Sequence, residues 1–275
     1  MLQESGISDS INIVRTRQRR EGSSTSRILR ARRVAASTSV TSINTVPTAT
    51  ERRQALKAVY REARDCTRCA LHQTRTQVVF GNGNANAELM FVGEAPGANE
   101  DRMGLPFVGA AGKLLDQLLG AIGMSRQDVW VCNVLKCRPP DNRDPHPNEI
   151  EACRDYLDRQ IELIEPIVIC TLGNFSTKLL RADTTGISRL HGQEEVRVVG
   201  SRAVRLYPLY HPAAALYTPS TLEALRADFH RIPELLALGA PEQPAPVEEV
   251  PEPEDEPELP PAALEPEPAA QLGLF

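Results

Sequence analysis

Four short runs of apolar and β-branched residues, at 89–92, 129–135, 167–172 and 204–210, do most to limit what this chain can fold into. Helical patterns at 113–122, 148–164, 175–181 and 222–238 separate or follow them. Near-continuous apolar strands alternating with helices predict a parallel sheet covered on both faces, a three-layer α/β/α domain around four central strands. Another helix is expected at 51–65, and Pro147 suits the first turn of the helix after it. Residues 194–206, with Gly200 and Ser201 between two Val/Arg runs, look like an inserted hairpin.

Charge is distributed unevenly, and this sets the expected boundaries. Residues 1–50 hold eight arginines, no lysine and three acids, with many Ser and Thr. Residues 240–275 hold ten acids, ten prolines and no base, which leaves 23 basic and 23 acidic residues between these ends. Neither end has the periodic apolar residues a core requires, so both are expected to be disordered arms. One domain at 51–239 remains. No apolar run approaches the ~18 residues of a membrane span, so no membrane partner is expected. The Arg- and Ser-rich start has the composition of an organellar transit peptide as well as of a basic arm; the C-terminal segment argues for a bacterial cytoplasm. A monomer is expected.

In an open parallel sheet, ligands bind at the carboxyl ends of the strands. Glu94, Asn133, Gly173-Asn174 and His211 each fall at one of those ends. An acid, an amide, a glycine and an imidazole are therefore expected around one site. The loop after the first strand looks built for phosphate, yet it carries Glu94, Glu100 and Asp101 and has no lysine before its helix.

Six cysteines are present. Cys132 and Cys170 lie inside apolar strands and behave as small hydrophobes. Cys66 and Cys69 form a C-x-x-C, and Cys137 and Cys153 follow at a distance, a set that suits zinc or an iron–sulfur cluster. Spacing does not choose between them. A thioredoxin-like pair fits poorly, because the C-x-x-C precedes the sheet.

The segments G-E-A-P-G at 93–97, L-P-F-V-G at 105–109, N-V-L-K-C-R-P-P at 133–140 and H-P-A-A-A-L at 211–216, with the cysteine pattern, resemble the family-four uracil-DNA glycosylases from about residue 55 to 237. The resemblance implies their α/β/α fold and hydrolysis of the bond joining uracil to deoxyribose in DNA. It implies a [4Fe–4S] cluster on Cys66, Cys69, Cys137 and Cys153. It also implies roles around an extruded uracil: Gly93 and Gly97 letting backbone approach, Phe107 stacking on the ring, Asn133 reading its edge. His211 would stabilise the leaving anion, and Glu94 the sugar cation or a water. The best-known uracil glycosylases carry a water-positioning aspartate where Ala95 stands here, and a thymine-blocking tyrosine where Gly97 stands. A related subgroup traps uracil through a K-R-R-I-H insertion; CRPPDNRDPHP here lacks it, so turnover is expected. Leu216 is a candidate wedge for the vacated space in DNA.

The segment QLGLF at 271–275 resembles the short bacterial motif that docks in the sliding clamp, with Gln271 as anchor and Leu272, Leu274 and Phe275 filling pockets. Two other readings stand beside the enzyme: a noncatalytic iron–sulfur DNA-binding or redox protein keeping the fold, and a zinc-stabilised nucleic-acid module.

Overall fold

A computed structural model describes residues 47–245; the arms and the 271–275 motif lie outside the described residues. The chain enters through α1 (Ala49–Arg64), which Thr48 and Glu51 start with a reciprocal capping box. Arg52 of α1 donates to the carbonyls of Leu163 and Ile164 at 3.1 and 3.2 Å and pairs with Glu165. It thereby satisfies two of the orphan carbonyls that end a helix of eighteen residues, α4 (Pro147–Ile164).

Six strands form one sheet. In chain order they are β1 (Asn82–Gly83), β2 (Leu89–Gly93), β3 (Val129–Asn133), β4 (Val168–Leu172), β5 (Glu195–Val199) and β6 (Arg202–Leu209). Across the sheet the order is β1-β3-β2-β4-β6-β5, with β3, β2, β4 and β6 parallel and the two outer strands antiparallel. The four parallel strands are those expected. The edge strands extend them, and β1 has no apolar run to announce it. The hairpin is not an insertion: its second arm is the start of β6 itself, which turns back from β5 at Gly200 in the left-handed region.

Side-chain alternation builds the layers. Leu89 and Phe91 of β2 face one apolar cluster, shared with α3 (Ala110–Ala121), α8 (Pro219–His230) and α9 (Ile232–Ala237). Met90 and Val92 face another, shared with α1, α4 and α5 (Asn174–Arg181), and the short α6 (Ile187–Leu190) leads into β5. The expected single helix at 222–238 is two, because Pro233 cannot donate the backbone bond that would continue α8. The chain leaves β2 for β3 on one side, then returns through α4 to β4 on the other. The connections after the neighbouring β2 and β4 thus leave toward opposite edges of the sheet, which opens a crevice between their ends. Among the described residues no helix is long and apolar enough to cross a membrane.

Candidate active site

A cleft of about 430 Å³ opens at those strand ends, and Glu94, Gly97, Phe107, Asn133 and His211 all line it. Its floor is set by close packing. A side chain at Gly93 would put a Cβ 2.3 Å from Asn133 Oδ1 and 2.9 Å from Phe107 Cζ, so glycine lets the amide and the ring meet over the strand end. Phe107 has φ 53°, a conformation that costs a bulky residue energy and persists only where its surroundings enforce it. Arg126 donates to its carbonyl at 2.9 Å. Gly112 packs so close that an added Cβ would lie 1.7 Å from the same oxygen. The ring faces His211 with centroids 5.7 Å apart and planes 26° from parallel.

The acidic loop is explained by what it holds. Glu100 and Asp101 belong to α2 (Ala98–Met103), a short helix ended by left-handed Gly104. Glu100 Oε1 accepts from the backbone N–H groups of Val108 and Gly109 at 3.0 and 3.1 Å, at the start of α3. Its other oxygen fills the space beside Gly97, 2.8 Å from where a Cβ there would stand. Asp101, buried, accepts from Thr76 N at 2.9 Å and fastens the loop to the segment before the sheet. Glu100 thus lines the cleft, and Asp101 anchors the loop that carries it.

His211 caps α7 (Pro212–Ala215): its Nδ1 accepts from Ala213 N at 3.1 Å. With Nδ1 an acceptor, the ring proton belongs on Nε2. Burial lowers the His211 pKa to about 4, against a weaker opposing pull from Glu100, so the ring is neutral at pH 7. Burial, with the charge of Asp144 beside it, raises the Glu94 carboxyl above its usual range. Asn133 is buried at the end of β3. Pro139, Asn142 and Arg143 complete the opposite wall. Arg143 is held there by two bonds to the buried Glu149, at 2.6 and 2.9 Å. The segment carries part of the family resemblance, but sequence reasoning did not place Asn142 and Arg143 at the site; their signal lay in the Asp141-Asn142 pair, both left-handed, where Asn and Asp are the tolerated residues. Gly173 and Asn174, expected at the site, do not line the cleft. Gly173 packs beneath His211, where a Cβ would sit 3.1 Å from that of the histidine, and Asn174 Oδ1 accepts from Ile187 N. Leu216 and Tyr217 follow α7 and are exposed.

Cys66, Cys69, Cys137 and Cys153 pack with one apolar cluster as free thiols. Burial pushes Cys137 up to about 11, opposed by a bond from Arg75 at 3.4 Å and reinforced by the charges of Cys153 and Cys69. Burial also raises Cys153, where Lys136 opposes the shift while Cys69 and Cys66 add to it. The four thiols are thus electrostatic neighbours. Among the described residues no three ligating side chains are gathered closely enough for a single ion, which around tetrahedral zinc means sulfurs about 3.8 Å apart. Cys132 and Cys170 are fully buried in the sheet, as expected.

The sequence matches the uracil DNA glycosylase superfamily over residues 80–232. The chain belongs to that superfamily. It is 49% identical to the type-4 uracil-DNA glycosylase of Archaeoglobus fulgidus over 193 residues, covering 68% of this chain and 96% of the relative. It is 48% identical to that of Sulfurisphaera tokodaii over 185 residues, with coverages of 66% and 84%. For that of Saccharolobus solfataricus the identity is 47% over 181 residues, with coverages of 64% and 84%. Every residue lining the cleft falls within the superfamily span, whereas Cys66 and Cys69 precede it.

Proposed function

We infer that this superfamily member is a uracil-DNA glycosylase acting in DNA repair. The observation that carries the reading is the meeting of Glu94, Phe107, Asn133 and a neutral His211 in one cleft. A base inside a duplex does not reach such a cleft, so the nucleotide is extruded, at a cost of a few kcal/mol. Phe107 stacks on the pyrimidine. The Asn133 amide donates to O4 and accepts from N3–H, a pattern that cytosine would reverse. The C1′–N1 bond then breaks with its electron pair leaving on uracil, and His211 Nε2–H donates to O2 as that charge develops. Water adds to C1′ as the sugar cation forms beside Glu94. The released water proton passes to Glu94 or to solvent, and the uracil anion is protonated on departure. With water as the nucleophile, the products are free uracil and an abasic site.

The test is formation of abasic sites in a uracil-containing oligonucleotide. Removing one donor of this kind slows such reactions by about 10²–10³-fold. His211→Ala and Asn133→Ala are each expected to fall in or near that range, and rates within twofold of the parent would overturn the assignment.

Cys66, Cys69, Cys137 and Cys153 suit a [4Fe–4S] cluster, which takes one thiolate at each iron and so spaces its sulfurs more widely than a single ion does. Held by these four thiols, such a cluster would tie the segment after α1, the loop after β3 and α4 into one unit. Gln271, Leu272, Leu274 and Phe275 suit the groove of a bacterial sliding clamp, which would keep a monomeric, cytoplasmic enzyme near replicating DNA through its acidic tether. Deleting 271–275 is expected to abolish clamp pull-down while sparing activity on short oligonucleotides; unchanged pull-down would refute the motif.

A further inference from the structure

Lys136 is almost completely buried, at 1% exposure, and none of the chemistry above uses it. Its Nζ donates to the Asn133 carbonyl at 2.7 Å and to Gln160 Oε1 at 2.6 Å. Gln160, on α4, is itself fully buried, and its Nε2 donates to the Phe80 carbonyl at 2.9 Å. Both acceptors of the lysine are neutral, a carbonyl and an amide. Beyond them its Nζ faces the Phe80 ring at 5.9 Å and the charge of Cys153, yet taking an ammonium out of water for neutral hydrogen-bond acceptors costs free energy that an aliphatic side chain of the same length would avoid. Packing alone therefore does not call for lysine here.

What the ammonium supplies is a donor at a defined place. Asn133 ends β3, and its side chain lies against Gly93 and Phe107 in the cleft. Beyond it the chain turns away within three residues toward Cys137. The backbone of Asn133 sets the direction of its amide, and the lysine ties that backbone to a helix whose own position is fixed across the domain. We propose that Lys136 is a positioning residue for base recognition: through Gln160 it holds the Asn133 backbone, and so the amide that meets the pyrimidine, in register with α4. This rests on the role given to Asn133 above. It also places α4, which carries Cys153, in mechanical series with the group that reads the base.

A double-mutant cycle tests it, because residues acting through one another are not additive while independent ones are. Single-turnover uracil release from a duplex oligonucleotide is compared for the parent, Lys136→Met, Asn133→Ala and the pair. Iron content and affinity for an abasic-site duplex are measured alongside. Lys136→Met is expected to slow release at least tenfold, with iron and abasic-site affinity within twofold. In the Asn133→Ala background the same change is expected to cost under twofold. A tenfold cost in both backgrounds, or a rate within twofold for Lys136→Met alone, overturns the proposal and leaves the assignment of Asn133 standing. A full rate for Asn133→Ala removes both readings. Should Lys136→Met not yield folded protein, Gln160→Met, which removes the acceptor together with the bond to the Phe80 carbonyl, takes its place in the cycle with the same expectations.

Discussion

Holding His211 neutral has a measurable consequence for stability. Its pKa falls from an ordinary 6.5 to about 4 in the folded chain, chiefly through burial. Between those values the unfolded chain binds a proton that the folded chain refuses. Stability is therefore fully present above pH 6.5, declines as pH falls toward 4, and loses nothing further from this residue below that. A shift of about 2.5 units corresponds to about 3 kcal/mol. His211→Asn is the perturbation of choice, because asparagine is a good helix N-cap and keeps an acceptor for Ala213 N. Urea unfolding of both proteins at pH 7, 6, 5 and 4.5 is expected to show the parent losing up to about 3 kcal/mol relative to the variant, most of it below pH 6. Uracil release per folded molecule should show no ionisation near 6.5 in the parent. A difference between the two proteins independent of pH, or an NMR titration of the His211 imidazole itself near 6.5, would refute the argument that burial keeps this donor neutral.

The close packing under Phe107 makes Gly112→Ala severe. With 1.7 Å available, the Phe107 backbone must move, and a loss of about 3 kcal/mol or more is expected in urea unfolding, together with much slower uracil release. Asp101→Ala leaves Thr76 N without its buried acceptor and is expected to cost about 1–3 kcal/mol; a smaller effect would show that the loop is not fastened there. If the four thiols hold the proposed cluster, Cys137→Ser is expected to remove the iron and the brown colour that such a cluster gives, whereas Cys170→Ala should keep both.

The parallel core was legible because burial on both faces leaves its mark along a strand: 89–92 or 167–172 has almost no alternative to being inside. The same logic exposed Glu94, Asn133 and His211, polar residues stationed where such runs stop. What escaped was set by contacts remote in sequence. β1 is two residues, Asn82 and Gly83, whose strand character comes from lying along β3. α2 is too short for a period to show, and its acids look like a wet turn until their partners at Thr76, Val108 and Gly109 are known. Arg143 reached the cleft wall because Glu149 holds it there. Gly173 misled for the opposite reason, since a residue can end a strand beside a site and still serve only to make room for its neighbour.

The grip of Arg52 on the last carbonyls of α4 bears on how this enzyme can be shortened. A fragment cut at the limits of the superfamily span, beginning near residue 80, would discard α1 along with two of the four thiols and strip the partner from an eighteen-residue helix. Expression of such a piece should give aggregated material. A cut just before Pro47 preserves the Thr48 cap and is the shorter gene to clone first.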